Sequence, residues 1–160
     1  MKAIRNFLFL ILTILTVGCQ KDDGIVIATK GLEIGINANG QLTGLKDLGN
    51  GNDYLYQKDG SNGLLAIRVN GEMENPTSMV VDESGELLTL GFPRNDVRAE
   101  VKVTKKEGYL TLELVSITKK DKIELILWGP FKTDIKETIG ETVGVVRNKD
   151  FAMGIQALNK

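Results

Sequence analysis

Residues 97–104 read VRAEVKVT, an alternation of valine or alanine with charged or polar side chains. The apolar residues are Val97, Ala99, Val101 and Val103. Successive side chains of a β-strand point to opposite faces, so this alternation predicts a strand with one face in a core and the other in water. A sheet that is covered on one side only is commonly antiparallel.

The segments on the C-terminal side continue the period of two. Residues 105–108, KKEG, have the composition of a turn and lead into residues 109–118, where leucines alternate with polar side chains. Residues 119–122, KKDK, form a second polar turn before the apolar residues 123–128. The sequence therefore predicts a three-stranded antiparallel meander over residues 97–128.

Further strands are predicted on both sides of the meander. Apolar residues alternate in residues 32–36, and Asn39-Gly40 behind them favours a tight turn into residues 41–48. The other predicted strands cover residues 65–69, 77–82, 86–92, 142–147 and 151–158. About ten short strands joined by Gly- and Asn-rich turns predict an all-β fold, an antiparallel β-sandwich.

Residues 134–139 are the one helical segment that the sequence suggests. Asp134 has the side chain of an N-cap, Glu137 stands where a capping box needs a glutamate, and Gly140 can end the turn. We therefore expect at most one short helix.

The composition excludes several kinds of chemistry. The 160 residues contain no His and a single Cys, which excludes a Ser-His-Asp triad, a Cys–His pair, an imidazole metal site and an internal disulfide. The formal net charge of −1 provides no basic excess for the phosphates of a nucleic acid. We expect no cofactor, no metal ion and no nucleic-acid partner.

The N-terminus has the layout of a secretory signal. Two basic residues precede the apolar run of residues 7–17, which is shorter than the roughly 20 residues of a membrane-spanning helix. Residues 15–19, LTVGC, resemble the lipobox of bacterial lipoproteins, with Thr16 at the position where leucine is commonest. The resemblance implies cleavage before Cys19 and lipidation of its thiol; a buried free thiol is the alternative.

The predicted organisation follows from this signal. Residues 1–18 are the lipoprotein signal peptide, residues 19–24 a lipidated linker and residues 25–160 the β-sandwich domain. Residues 20–23, QKDD, resemble the surface-export signal of Bacteroidetes lipoproteins. The resemblance implies an outer-membrane lipoprotein that is held by its lipid anchor and exposed at the cell surface.

Two longer segments resemble a known family. Residues 31–55, GLEIGINANGQLTGLKDLGNGNDYL, resemble the opening of galactose mutarotase-like β-sandwich domains. Residues 125–159, LILWGPFKTDIKETIGETVGVVRNKDFAMGIQALN, are similar to part of the N-terminal sandwich of large Bacteroidetes glycan-degrading lipoproteins. The resemblance implies an incomplete sandwich whose catalytic domain is missing from this chain, as in a glycoside hydrolase-like enzyme. The mutarotase reaction itself uses His, which this chain lacks.

Three residues are candidates for carbohydrate contact, each with a structural alternative. Trp128 is either a ring that stacks on a sugar or a core residue. Glu141, together with Asp134 and Glu137, is either part of a carboxylate pair suited to glycoside hydrolysis or part of a capped turn. Arg147 either contacts a sugar acid or forms an internal ion pair with Glu141. No residue is assigned a catalytic role.

The polar loop of residues 47–53 has the oxygen-rich composition of a calcium loop. The twelfth position counted from Asp47 is Lys58, however, where the EF-hand requires a glutamate. We therefore interpret the segment as a polar hairpin loop.

These observations favour a non-catalytic N-terminal β-sandwich module of a cell-surface glycan-degrading lipoprotein, which supports a catalytic domain and contacts polysaccharide. No activity is expected from this chain alone. A stand-alone surface lipoprotein that binds glycan or envelope partners is the alternative, and a complete small hydrolase is a third hypothesis. An open reading frame downstream of Lys160 would favour the first hypothesis, and a stop codon there the second.

Overall fold

A computed structural model of the chain describes residues 24–56, 62–140 and 144–158. Within these residues the protein is nearly all β, with a single 3₁₀ turn at Lys120–Lys122. The strands are β1 Ile25–Ala28, β2 Leu32–Ile36, β3 Leu42–Asp47, β4 Leu65–Val69, β5 Glu72–Glu74, β6 Ser78–Val81, β7 Leu87–Phe92, β8 Val97–Lys105, β9 Leu110–Ile117, β10 Leu125–Trp128, β11 Thr138–Ile139, β12 Gly144–Arg147 and β13 Ala152–Ile155.

The predicted fold class is confirmed, whereas the predicted strand count is wrong. The described residues contain 13 strands rather than about ten. The three additional strands are β1, β5 and β11, of four, three and two residues. β1, IVIA, is apolar throughout, and β5 and β11 have too few residues to establish an alternation, which is why the period of two did not reveal these strands.

The strands form four antiparallel sheets. In spatial order they are β1-β2-β3, β10-β4-β5, β11-β12-β13 and β6-β7-β8-β9. Buried residues of β1–β3, β4 and β6–β8 belong to one contiguous cluster, so these three sheets share a core. Antiparallel sheets around a common core are compatible with the predicted β-sandwich.

The four-stranded sheet supplies much of that core through strict alternation. Side chains of β7 and β8 that are at most 2% exposed are Leu88, Leu90, Phe92, Val97, Ala99, Val101 and Val103. Residues between them point to the opposite face, which is the outer face of the sheet. The alternation read from residues 97–104 is thereby confirmed.

The predicted meander is wrong at its third strand. β8 pairs with β9 as expected, but β10 pairs with β4, where Trp128 lies opposite Leu65. Lys119 adopts a left-handed conformation with φ of 51°, and the 3₁₀ turn that follows carries the chain away from β9. The amide of Glu124 then donates to the carbonyl of Arg68 at the start of the new pairing.

The predicted helical turn over residues 134–139 is also wrong. Thr138–Ile139 is strand β11, and the residues before it form a bend. The backbone of this segment is already used, because Thr133 bridges to Leu55 and the amide of Asp134 donates to the carbonyl of Tyr54. Six residues are far fewer than the roughly 12 that an isolated helix needs, so these contacts prevail.

Candidate functional site

A row of three residues crosses the outer face of the four-stranded sheet. The register places Ser78 of β6 opposite Gly91 of β7, and Gly91 opposite Arg98 of β8. Directly opposed residues of antiparallel strands share a face. Because the neighbouring Phe92 and Val97 point into the core, the row of Ser78, Gly91 and Arg98 lies on the outside.

A shallow depression of about 210 Å³ lies over this row, and we call it the Gly91 depression. Its lining residues are Thr77, Ser78, Gly91, Phe92, Pro93, Asp96, Val97 and Arg98. Gly91 contributes only backbone, and a Cβ atom at this position would collide with Ser78 Oγ. The carbonyl of Gly91 accepts the amide of Thr77 at 3.0 Å, which fixes the strand end beside the depression.

Asp96 is the carboxylate at the rim of the Gly91 depression, and its charge is compensated. Lys119 Nζ donates to Asp96 Oδ2 at 2.7 Å. This hydrogen bond and the charge of Lys119 lower the pKa of Asp96, with a smaller contribution from the charge of Arg98. Asp96 therefore remains ionised at neutral pH, and its negative charge is balanced by a neighbouring ammonium group.

Arg98 is the other charged side chain that lines the Gly91 depression. Its backbone amide donates to Thr118 Oγ1 at 2.9 Å, which orders the backbone at this point of β8. Arg68 and Arg94 each form an ion pair with a glutamate, but Arg98 forms none with any residue that the structure describes. Its side chain is exposed at the edge of the depression.

The chemistry of the depression is that of hydrogen bonding. Thr77 and Ser78 provide hydroxyl groups that both donate and accept, and Arg98 provides up to five donors. Asp96 is the one carboxylate among the lining residues, whereas hydrolysis of a glycosidic bond requires two. The arrangement can therefore hold a polar ligand but has no acid–base pair.

Trp128 lies elsewhere and contributes to the core. It ends β10, is partly buried and packs against the main hydrophobic cluster. Its strand belongs to the β10-β4-β5 sheet, not to the sheet that carries the Gly91 depression. The position corresponds to the core alternative given for Trp128.

Arg147 lies on β12, where it is exposed and paired in register with Thr138 and Ala152. It forms no ion pair with another residue in the described ranges. Glu141, its predicted partner, lies outside those residues, as does Cys19. The proposed ion pair, the contact of Glu141 with sugar and the lipidation of Cys19 stay predictions.

The oxygen-rich loop after β3 uses its side chains to organise its own backbone. Asp53 Oδ1 accepts the amides of Leu45 and Leu55 at 2.9 Å each. Asp47 Oδ1 accepts the amide of Gly49 at 2.7 Å. Across residues 24–56, 62–140 and 144–158, no group of three His, Cys, Asp or Glu side chains is arranged to hold a metal ion.

Tyr54 joins this loop to the turn between β12 and β13. Its ring stacks on Phe151 with centroids 4.8 Å apart and planes inclined by 2°. Side-chain hydrogen bonds from Asn52, Asn148 and Asn50, in decreasing order of effect, lower the pKa of its hydroxyl. Asn50 Nδ2 lies 3.1 Å from that oxygen. These contacts fasten the C-terminal hairpin to the first half of the chain.

Sequence reasoning missed the residues of the Gly91 depression. One local signal was present, because Gly91 interrupts the run LLTLGF and an isolated glycine inside a strand can mark a close approach to its backbone. The pairing of Gly91 with Ser78 and Arg98 depends on the register of three strands and is not visible locally.

Comparisons with protein-family models, with curated proteins and with solved structures found no match to this chain. In the described part of the chain, the helical content is confined to one 3₁₀ turn, and no helix has the length and apolar character to cross a membrane.

Proposed function

We propose that this chain is the non-catalytic N-terminal β-sandwich module of a cell-surface glycan-degrading lipoprotein, where it supports a catalytic domain and contacts carbohydrate. The single observation that carries the proposal is the polar Gly91 depression on the outer face of the four-stranded sheet. The predicted lipid anchor at Cys19 and the resemblance of residues 31–55 and 125–159 to sandwich domains of such lipoproteins supply the cellular context.

The composition of the Gly91 depression supports contact with carbohydrate. Sugar hydroxyls both donate and accept hydrogen bonds, and the hydroxyls of Thr77 and Ser78 do the same. Neither of these side-chain hydroxyls bonds to another residue in the part of the chain that the structure describes, so both are available to a ligand. A volume of about 210 Å³ is below the roughly 300 Å³ where drug-sized pockets begin, and it suits a single sugar ring of a longer chain.

Exposed apolar side chains on another sheet support the second role, packing against a neighbouring domain. Leu125 and Met73 both lie opposite Arg68, on the outer face of the β10-β4-β5 sheet, and are 40% and 44% exposed. Leu127, two residues along the same face of β10, is 40% exposed. Adjacent apolar side chains on one surface are typical of an interaction site.

The carbohydrate contact is tested by affinity electrophoresis of the purified chain in gels that contain soluble polysaccharides. We expect at least one polysaccharide to retard the wild-type chain, and the double variant Thr77→Val, Ser78→Ala to migrate faster in that gel. Glu83→Gln, on the exposed turn between β6 and β7, is the surface control, and its retardation relative to a gel without polysaccharide should equal that of wild type. Retardation by no polysaccharide would contradict the carbohydrate role.

The non-catalytic role needs a separate measurement. Incubation of the chain with the same polysaccharides should release no reducing sugar. Turnover that is abolished by Glu141→Gln would instead establish a hydrolase and contradict the proposal.

The anchor is tested in cells that express the chain. A palmitate analogue should label the wild-type protein and leave Cys19→Ala unlabelled. Equal labelling of the two proteins would exclude lipidation at Cys19. Digestion of the labelled protein by a protease added to intact cells would support surface exposure, and full protection would contradict it.

A further inference from the structure

We infer that the Gly91 depression selects an anionic sugar residue, one whose carboxylate or sulfate group binds the guanidinium group of Arg98. The inference rests on the proposed carbohydrate contact and adds the chemical class of the ligand. It is carried by the register of three strands and by the ion pairing around the depression, in which Asp96 is engaged by Lys119 and Arg98 forms no ion pair with the described residues.

The rim of the Gly91 depression carries one ion pair and one further cation. Asp96 and Lys119 neutralise each other through the contact of 2.7 Å between Nζ and Oδ2. Arg98 has no such partner within the ranges that the structure describes. Asp96 is the one carboxylate among the lining residues, and it is engaged by Lys119, so Arg98 offers its guanidinium donors to a ligand that enters the depression.

A guanidinium group is well suited to the anionic groups of sugars. Its planar fork of N–H donors matches the paired oxygens of a carboxylate and the oxygens of a sulfate, and two parallel hydrogen bonds then fix the orientation of the ligand. A neutral sugar would accept hydrogen bonds from Arg98 but would not receive the additional charge interaction.

The floor and the opposite wall place the remainder of the sugar ring. Gly91 presents only backbone between Ser78 and Arg98, and the hydroxyl of Ser78 occupies the space that a side chain at this position would take. In the row across the sheet, Ser78 and Arg98 stand on opposite sides of Gly91. A ring with its anionic group on Arg98 would therefore extend toward Ser78 and Thr77, which line the other side.

The test compares anionic and neutral forms of the same polymers in affinity gels with the full chain. The probes are polygalacturonate with its carboxyl-reduced form, and dextran sulfate with dextran. We expect retardation by polygalacturonate or by dextran sulfate, and at least tenfold weaker retardation by the neutral form of the same polymer. The member that binds identifies the anionic group as carboxylate or sulfate.

Substitutions of Arg98 test the residue directly. Arg98→Gln should weaken binding of the anionic polymer by about tenfold or more, because a hydrogen-bonded charge is lost. Arg98→Lys, which keeps the charge without the fork, should lose less. Arg94→Gln removes the same charge from a neighbouring exposed position that is paired with Glu72, and it should bind as wild type. Unfolding curves check that each variant remains folded.

The outcomes separate this inference from the function on which it rests. Equal binding of the anionic and neutral polymers, with Arg98→Gln unchanged, would overturn the anionic ligand and retain the carbohydrate contact. Equal losses in Arg98→Gln and Arg94→Gln would show a general charge effect and also overturn it. Binding of no polymer at all would overturn the inference together with the carbohydrate role.

Discussion

Replacing Gly40 with alanine tests how the β2–β3 hairpin packs across the core onto β7. Gly40 follows Asn39 in the turn and has φ of +72°. A Cβ atom at this position would lie 2.8 Å from Leu90 Cδ2 and 3.1 Å from Pro76 Cγ. Leu90 is fully buried, so it has little room to move aside.

Two costs are therefore expected for Gly40→Ala. The left-handed backbone conformation costs a residue with a side chain about 1–2 kcal/mol. Forcing an additional methyl group into a packed core costs about 1–3 kcal/mol more. The free energy of unfolding should fall by the sum, about 2–5 kcal/mol.

Gly71 provides the control for the backbone cost alone. Its φ of +79° is close to that of Gly40, but nothing lies within 4 Å of the position that its Cβ would take. Gly71→Ala should therefore lose about 1–2 kcal/mol, and the two variants should differ by the packing cost. Urea unfolding monitored by circular dichroism measures both values by linear extrapolation.

The result that would refute the reasoning is a difference of less than about 0.5 kcal/mol, which is within the error of comparing independent sites. Gly40 would then not pack on Leu90, and the hairpin would not lie over β7 as described. Combining Gly40→Ala with Leu90→Val gives a second check. Shortening Leu90 should relieve the overpacking, so the double variant should be less destabilised than the sum of the single changes.

Three further predictions concern the core, a buried carboxylate and the rim of the depression. Phe92 is fully buried, so Phe92→Ala should lower the free energy of unfolding by about 3–5 kcal/mol. Tyr109 is 58% exposed, so Tyr109→Ala should change the free energy of unfolding by less than about 0.5 kcal/mol in the same assay. Glu74→Ala should lower the free energy of unfolding in urea by about 1–3 kcal/mol, because the carboxylate accepts hydrogen bonds from a backbone amide and an asparagine side chain of the β7–β8 turn. An unchanged free energy of unfolding would contradict that role. The stabilising contribution of Asp96 should be present above its ordinary pKa of 3.8 and be lost as the pH falls through its lower pKa in the folded protein. Lys119→Met should raise that pKa toward 3.8 in an NMR titration of the carboxyl group, and an unchanged pKa would contradict the pairing.

The sequence predicted the β-strands best where one face is fully buried. In β8 the alternation of four apolar residues, Val97, Ala99, Val101 and Val103, predicts the buried face directly. A shift of the strand register by one residue would move all four side chains from the core to the solvent. The short strand β11 gave no such signal. Its two residues, Thr138 and Ile139, are exposed, and what defines them is pairing with Arg147 and Val146.

Pairing between distant strands was the main feature that local patterns did not predict. Residues 119–122 have the composition of a hairpin turn, but the same polar residues also suit a crossing from one sheet to another. The partner of β10 is β4, more than 50 residues earlier in the chain, where Trp128 lies opposite Leu65. The candidate site depends on the same long-range register, which is why its members were not recognised together.

The register that builds the core also holds the Gly91 depression in place. In β7, Leu90 and Phe92 point inward and are fully buried, and Gly91 between them must point outward. A shift of β7 by one residue would place Gly91 in the core and expose Phe92, at the cost of most of its burial. The row of Ser78, Gly91 and Arg98 is thus maintained by apolar contacts on the opposite face of the same strands. The strand residues of the depression are therefore held by the core, and polar side chains on this outer face can change without disturbing the packing beneath them.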